Sequence, residues 1–408
     1  MNIKYFFLVF LSILLLGNIQ AQKKILFDAT KAETAGNADW IIDADQHNLS
    51  FSNGYAVAGN GRESNPQRFP TPAQSSVTAS TQETYWTGAL SAWGINLVKK
   101  GFEVETLPYN GKITYGNSSN PQDLSNYAVF VVDEPNIRFT SAEKTAILQF
   151  VYHGGGLFMI SDHDRSDRNN DGIDSPSVWN DLMKNNSMQS DPFGISFDLL
   201  KFDDKSDNVR NLPGNPILNG PMGTVSELQF FAGTSMTLHP GDNSSAEGLI
   251  YRSGSSFGNT NVLFASSTFG KGKVVALGDS SPPDDGTGDP GDRLYNGWTK
   301  DANGNHERLI MNASIWLAET LTATNPLKEK NKIEVSFLKK DNECFLKVSN
   351  LPAVNSYQLS VFDLQGKEVT NFQQIAPGQT YRFPLPAKAI FVYRLTGANF
   401  LKTGKFYY

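Results

Sequence analysis

The chain has 408 residues, 39% hydrophobic and 19% charged, and a formal net charge of −6. That length exceeds one ordinary core and implies more than one domain, while the acidic balance, with no basic cluster, argues against nucleic acid or an anionic membrane surface as partner. The only cysteine is Cys344, so an internal disulfide is excluded and stability must rest on core burial, with metal as the available supplement.

Met1 to Ala21 reads as a secretory leader: Lys4 supplies the positive region, Tyr5 to Leu16 the apolar run, and cleavage is expected before Gln22. The apolar run falls short of the ~20 residues a spanning helix needs, and no later stretch is long enough either. With no cysteine at the cleavage point, lipid anchoring is not expected. The mature protein is therefore expected to be secreted or held at the cell surface without a membrane span.

Lys23 to Asp28 is a first strand ending in a carboxylate. Residues 44–82 are rich in Ser, Asn, Gly, Gln and Pro and form a long irregular excursion. Thr84 to Lys100 has helical spacing and stops at Gly101. Phe102–Leu107 and Tyr127–Val132 are further strands, the second running into Asp133-Glu134-Pro135. Ser141 to His153 reads as a helix with Ser141 as candidate N-cap, and Leu157–Ile160 after Gly154-Gly-Gly156 as a buried strand. Residues 175–260 are less regular, with Val225–Phe231 and Gly248–Tyr251 as strands; beyond them Asn261–Ala265 and Lys273–Leu277 are strands around Gly270-Lys-Gly272, and His306–Thr320 is a closing helix. This alternation predicts a flavodoxin-like α/β domain over 22–321, a mostly parallel sheet with helices on both faces. A polar linker (322–332) leads to short alternating runs separated by turn residues, which predict a small C-terminal β-sandwich over 333–408.

The last domain resembles the C-terminal sorting domain of the type IX secretion system of Bacteroidetes. The resemblance is carried by Tyr357-Gln-Leu-Ser-Val-Phe-Asp-Leu-Gln-Gly366-Lys-Glu-Val369, Ala389-Ile-Phe-Val-Tyr-Arg-Leu395 and the ending Lys402-Thr-Gly-Lys405-Phe-Tyr-Tyr408. It implies the type IX machinery as partner and export through the periplasm and across the outer membrane. The main domain resembles the glutamine-amidotransferase-like superfamily, in its ThuA-like, non-amidotransferase branch. The carriers are the strand Ile25–Asp28, the helix–Gly154-Gly-Gly156–strand unit, Asn215-Pro-Ile-Leu-Asn-Gly220 and the Gly270–Asp279 hairpin. Members with amidotransferase activity carry a cysteine on the turn after the strand matching Leu157–Ile160. Here that turn is Ser161-Asp162-His163, and amidotransferase chemistry is excluded.

Apolar strands end in Asp28, in Asp133-Glu134 and, past Gly278, in Asp279, while the Leu157 strand runs through Ser161 into Asp162-His163-Asp164. Parallel strands would bring these ends to one edge, where clustered carboxylates repel unless a cation, a proton or an arginine intervenes. The alternative is that each Asp caps its own turn. Asp28, Asp162, His163 and Asp279 are the candidate catalytic set, with Asp162 or His163 as base toward a metal-activated water. Asp133, Glu134, Ser280 and Trp298 are candidate substrate contacts. Asp167-Arg-Asn169-Asn-Asp171-Gly172-Ile173-Asp174 matches the start of a calcium loop: oxygen ligands at its first, third and fifth positions, Gly at the sixth and the Ile173 carbonyl at the seventh. The match ends there, Asp174 falling one place late and Val178 standing at the twelfth position, so an Asx-rich turn is the rival. Two functions follow: a metal-assisted hydrolase acting on an extracellular polymer, chiefly glycan, or a non-catalytic, calcium-stabilised surface binding module.

Overall fold

The computed structural model describes residues 23–42, 49–52, 55–58, 74–288, 292–319, 334–340, 343–349, 357–376, 379–384, 389–397 and 400–407. The expected leader, much of the 44–82 excursion and the 322–332 linker lie outside them. The chain divides into two units, Met1–Ala323 and Thr324–Tyr408.

The first unit begins with β1 (Lys24–Asp28), a hairpin of β2 (Leu49–Ser52) and β3 (Tyr55–Ala58), helix α1 (Ser91–Lys99) and β4 (Glu103–Leu107). It continues with β5 (Val129–Asp133), α2 (Ser141–Tyr152), β6 (Gly156–Ile160), α3 (Ser175–Lys184), β7 (Ile195–Phe197) and β8 (Phe202–Ser206). Then come β9 (Asn219–Gly220), β10 (Gly223–Thr224), β11 (Leu228–Gly233), β12 (Met236–Leu238) and β13 (Glu247–Tyr251). Last are β14 (Val262–Phe269), β15 (Gly272–Leu277), α4 (Gly297–Lys300) and α5 (Asn305–Ala318).

The main sheet has nine strands, in the order β4-β1-β5-β6-β15-β14-β12-β7, with β13 also on β14. From β4 to β15 all pairs are parallel; from β15 onward they are antiparallel. Counted among themselves in chain order, the parallel strands run 2-1-3-4-5, the flavodoxin arrangement, whose topological switch point lies between β1 and β5. The α/β class expected from the sequence is present. Of the antiparallel extension, β14 and β13 are legible in the sequence as Asn261–Ala265 and Gly248–Tyr251, whereas β7 and β12, of three residues each, are too short to leave a pattern.

Side chains alternate along a strand, and this sorts two cores. Ile25, Phe27, Val129, Val131, Phe158 and Ile160 pack with α1 and α5, through Trp93, Leu97, Leu309 and Leu317. Leu26, Phe130, Val132, Leu157 and Met159 pack with α2 and α3, through Ile147, Val151, Trp179 and Leu182. On the first face Trp93 meets Phe27 and Phe158 edge-on at ring separations of 5.0 and 5.1 Å. Helix α2 starts one residue earlier than the Ser141 cap would place it: Thr140 is the N-cap and forms a capping box with Glu143. Gly156, opening β6, is needed for close approach, since a Cβ there would lie 2.7 Å from the Leu317 carbonyl oxygen of α5.

The second unit contains β16 (Glu334–Lys340), β17 (Glu343–Ser349), β18 (Gln358–Phe362), β19 (Glu368–Phe372), β20 (Thr380–Pro384), β21 (Ile390–Gly397) and β22 (Phe400–Tyr407). One sheet is β16-β17-β20 and the other β19-β18-β21-β22. Leu346, Val348 and Phe383 of the first share a core with Leu359, Val361, Phe391 and Leu395 of the second, giving the expected sandwich. Cys344 is buried in this core, and burial pushes its thiol up to about 11.

Candidate functional site

The parallel block sets the carboxyl ends of β1, β5, β6 and β15 along one edge. Asp28 and Asp133 are the last residues of β1 and β5, Asp162 follows β6, and Asp279 follows β15. All of them are buried, as is Glu134. The sequence therefore brings its acids to one edge, but beneath the surface.

Arg168 organises the centre of the edge. Glu134 stands in the left-handed region, φ 47°, directly after β5, and its backbone N–H donates to the Ile160 carbonyl. Its carboxylate accepts from Arg168 Nε at 2.6 Å and Nη2 at 3.2 Å, and from Ser280 Oγ at 2.7 Å. Arg168 Nη2 also donates to Asp162 Oδ2 at 3.2 Å. His163 Nε2 lies 3.7 Å from that same oxygen, while its Nδ1–H donates to the Asp164 carbonyl at 2.6 Å. Burial, with the charges of Glu134 and Asp279, holds Asp162 well above the usual carboxylate range despite Arg168. Burial lowers the His163 imidazole. The Asp162 carboxyl and the His163 imidazole thus face each other across more than a hydrogen bond.

The Asp167–Asp174 loop delivers Arg168. Asp167 accepts from the amides of Asp171 and Gly172, at 3.1 and 2.7 Å. Asp171 accepts from the Ile173 amide at 2.9 Å and from Asn169 Nδ2 at 3.0 Å. Asp174 takes the Arg165 amide at 2.7 Å and, as N-cap of α3, the Ser177 amide at 3.0 Å. The Arg168 amide donates to Asn136 Oδ1 at 2.8 Å, pinning the loop to the turn after Glu134. Each aspartate of the loop thus has backbone donors of its own.

The other strand ends are held separately. Asp279 accepts from the Ser281 amide at 2.7 Å and the Phe231 amide at 2.5 Å, and burial raises it to about 7. Asp28 Oδ1 accepts from the Thr30 amide at 3.1 Å, and burial raises it to about 6 against the pull of Lys31. Asp133 is pushed well above the usual range by burial and then by Glu134, Asp162, Asp284 and Glu33. Ser280 is bonded to Glu134 rather than to a histidine, and His306 is occupied by the Gln229 amide and the Gly297 carbonyl. Trp298 is 3% exposed and presents no stacking face to solvent.

Among the described residues, the one group of three metal-ligating side chains with ligand atoms within 4.8 Å of one another is Asp191, His239 and Asp242, away from the predicted set. Arg168 escaped the sequence reading because an arginine in a polar loop is ordinarily solvated; the signal was its place inside the acidic run. Leu199 and Leu200 are exposed, His163 is partly buried, and Phe231 and Tyr295, both partly buried, stack at 6.3 Å. The Asp164 amide donates to the Leu200 carbonyl and ties the turn after β6 to Leu200.

No family model matches the chain, and no curated protein does. Among solved structures, it is similar to one described as the mmIFT52 N-terminal domain, with 12% identity and a TM-score of 0.41 over 73% of this chain and 99% of that one. It is also similar to a putative ThuA-like protein from Parabacteroides merdae, with 12% identity and a TM-score of 0.34 over 74% of this chain and 92% of that one.

Proposed function

We propose that this is an exported surface protein whose α/β domain, of amidotransferase-like descent, binds an extracellular polymer, foremost a glycan, without cleaving it. Its sandwich then serves as the type IX sorting domain, and any divalent cation it takes is structural. The observation that carries this reading is the closure of the strand-end acids. Asp28 and Asp279 accept backbone amides, and Glu134 and Asp162 share the one Arg168 guanidinium. A hydrolytic site needs a carboxylate and an activated water open to substrate. The stacked, partly exposed Phe231–Tyr295 pair offers instead the aromatic surface and polar hydroxyl that suit a sugar ring.

Affinity electrophoresis and calorimetry against soluble polysaccharides test this. Binding to at least one glycan is expected, weakened roughly tenfold by Tyr295→Ala, a change of about 1.4 kcal/mol, with no reducing ends released. Absence of binding across the panel would refute the reading. A hydrolase reading is favoured by one feature, the free Nε2 of His163 beside Asp162. Turnover that disappears in both His163→Ala and Asp162→Asn would replace the first reading with it.

A further inference from the structure

A groove at β13 lies apart from the acid-lined edge. It has a volume of about 320 Å³, at the lower end for small-ligand sites, and its lining includes Arg210, Leu238, Glu247, Tyr251, Phe257 and Asn259. It shares no lining residue with the strand-end acids or with the Phe231–Tyr295 pair. Phe257 is 55% exposed. One exposed ring is ordinary by itself, but here the chain fixes it in place. Its loop is fastened on both sides of the ring. Asn208 Nδ2 donates to the Arg252 and Ser255 carbonyls at 3.0 and 2.8 Å. The Gly258 carbonyl accepts from Tyr251 Oη at 2.8 Å, and the Asn259 carbonyl accepts from the Leu238 amide at 2.7 Å. The Phe257 ring meets Tyr251 in an edge-to-face arrangement at 5.1 Å. A ring held this way loses little freedom when a ligand covers it.

The polar part of the groove is an ion pair. Arg210 Nη1 donates to Glu247 Oε1 at 2.6 Å and to the Gly248 carbonyl at 3.4 Å, and both charged side chains are partly exposed. Among the described residues these contacts run through Nη1 and Oε1, so Arg210 Nε and Nη2 and Glu247 Oε2 are left to water or to a ligand. The groove thus sets hydrogen-bond donors and an acceptor beside a fixed aromatic ring.

We propose that this groove is a carbohydrate subsite, in which a neutral sugar unit stacks on Phe257 and its hydroxyls bond to Arg210 and Glu247. The charges that line it cancel, one guanidinium against one carboxylate, so a phosphate, a carboxylate or an ammonium finds no unbalanced counter-charge. A sugar hydroxyl both donates and accepts, which matches a donor and an acceptor standing side by side, while the C–H face of the ring covers the aromatic. A peptide added as a strand is blocked, because the outer edge of β13 is already taken. The Arg210 amide donates to the Leu249 carbonyl at 3.0 Å, the Tyr251 amide to the Asn208 carbonyl at 3.1 Å, and Val209 bridges Ile250. The subsite rests on the reading of the α/β domain as a glycan binder and adds to it a contact separate from Tyr295.

The test is affinity electrophoresis and calorimetry of the full chain with a β-glucan, a xylan and a mannan, all neutral, and with anionic polygalacturonate. Phe257→Ala and Arg210→Ala should each weaken binding of a neutral polysaccharide roughly tenfold. Phe257→Trp, which keeps a flat ring at the same place, should retain it. The Tm of all three should change little, since the ring is exposed and a partly exposed ion pair adds little stability. Neutral-glycan binding that is weakened by Tyr295→Ala but left intact by Phe257→Ala and Arg210→Ala overturns the subsite and leaves the proposed function standing. Binding of polygalacturonate alone overturns the neutral-sugar assignment. Binding of none of these polysaccharides overturns the subsite together with the reading on which it rests.

Discussion

Arg168 holds the site's electrostatics in one side chain. It pairs with Glu134, just past β5, and Asp162, just past β6, two buried acids that would otherwise lack a counter-charge. Removing one member of such a group leaves charge without a partner, which costs about 3–5 kcal/mol. Arg168→Ala should lose that much in urea unfolding. Arg168→Lys should recover only part, since an ammonium cannot present the planar fork that spans Glu134 and Asp162. The acids themselves were legible in the sequence, because each follows an apolar strand. Their partner was not: strand ends are visible in hydrophobic pattern, whereas a counter-ion contributed by a turn depends on how the turn folds back. Trp298 shows the same limit. Its Asn-Gly-Trp context suits exposure, yet packing against the α1 and α5 core decides its burial.

At the level of elements, the contrast between β6 and α3 explains what could be read. Gly156–Ile160 is short, apolar and buried throughout, so the pattern alone identifies it. Helix α3 directly follows the loop whose oxygens resemble calcium ligands, and its first residues, Ser175 and Pro176, look like a continuing turn. Asp174 is in fact its cap, with Pro176 in the first turn, where its missing N–H costs nothing. The apolar face of Val178, Trp179, Leu182 and Met183 was there to be found once the cap was recognised. Asp174→Ala should destabilise the protein by about 1 kcal/mol, the usual value of a lost N-cap. Loss of the Arg165 amide contact at 2.7 Å should also loosen the loop that carries Arg168. Denaturant unfolding measures the first effect, and amide exchange over 165–174 the second.

For the whole molecule, the surplus of buried acid sets the response to pH. Asp279 and Asp285 are raised to about 7 and Asp284 to about 6, all chiefly by burial. In the unfolded chain an aspartate titrates near ~3.9. The folded state therefore binds more protons between those values, and stability falls as pH rises across that interval. Its contribution is fully present below about pH 4, declines through pH 6–7, and is flat above. The Tm should be higher at pH 5 than at pH 8, opposite to the common acid lability of proteins whose carboxylates are ion-paired. Equal values at both pH, or a higher one at pH 8, would show that these groups are compensated in the folded chain.

The lone thiol of the sandwich has a use of its own. Cys344 sits in the core of the second unit with its pKa pushed up to about 11, so it meets neither of the conditions for alkylation while that unit stays closed. As it is the chain's only cysteine, the rate at which a maleimide labels the protein counts openings of the sandwich and nothing else. It is a clock, placed by the sequence itself, for following one unit while the other binds, unfolds or is stripped of metal.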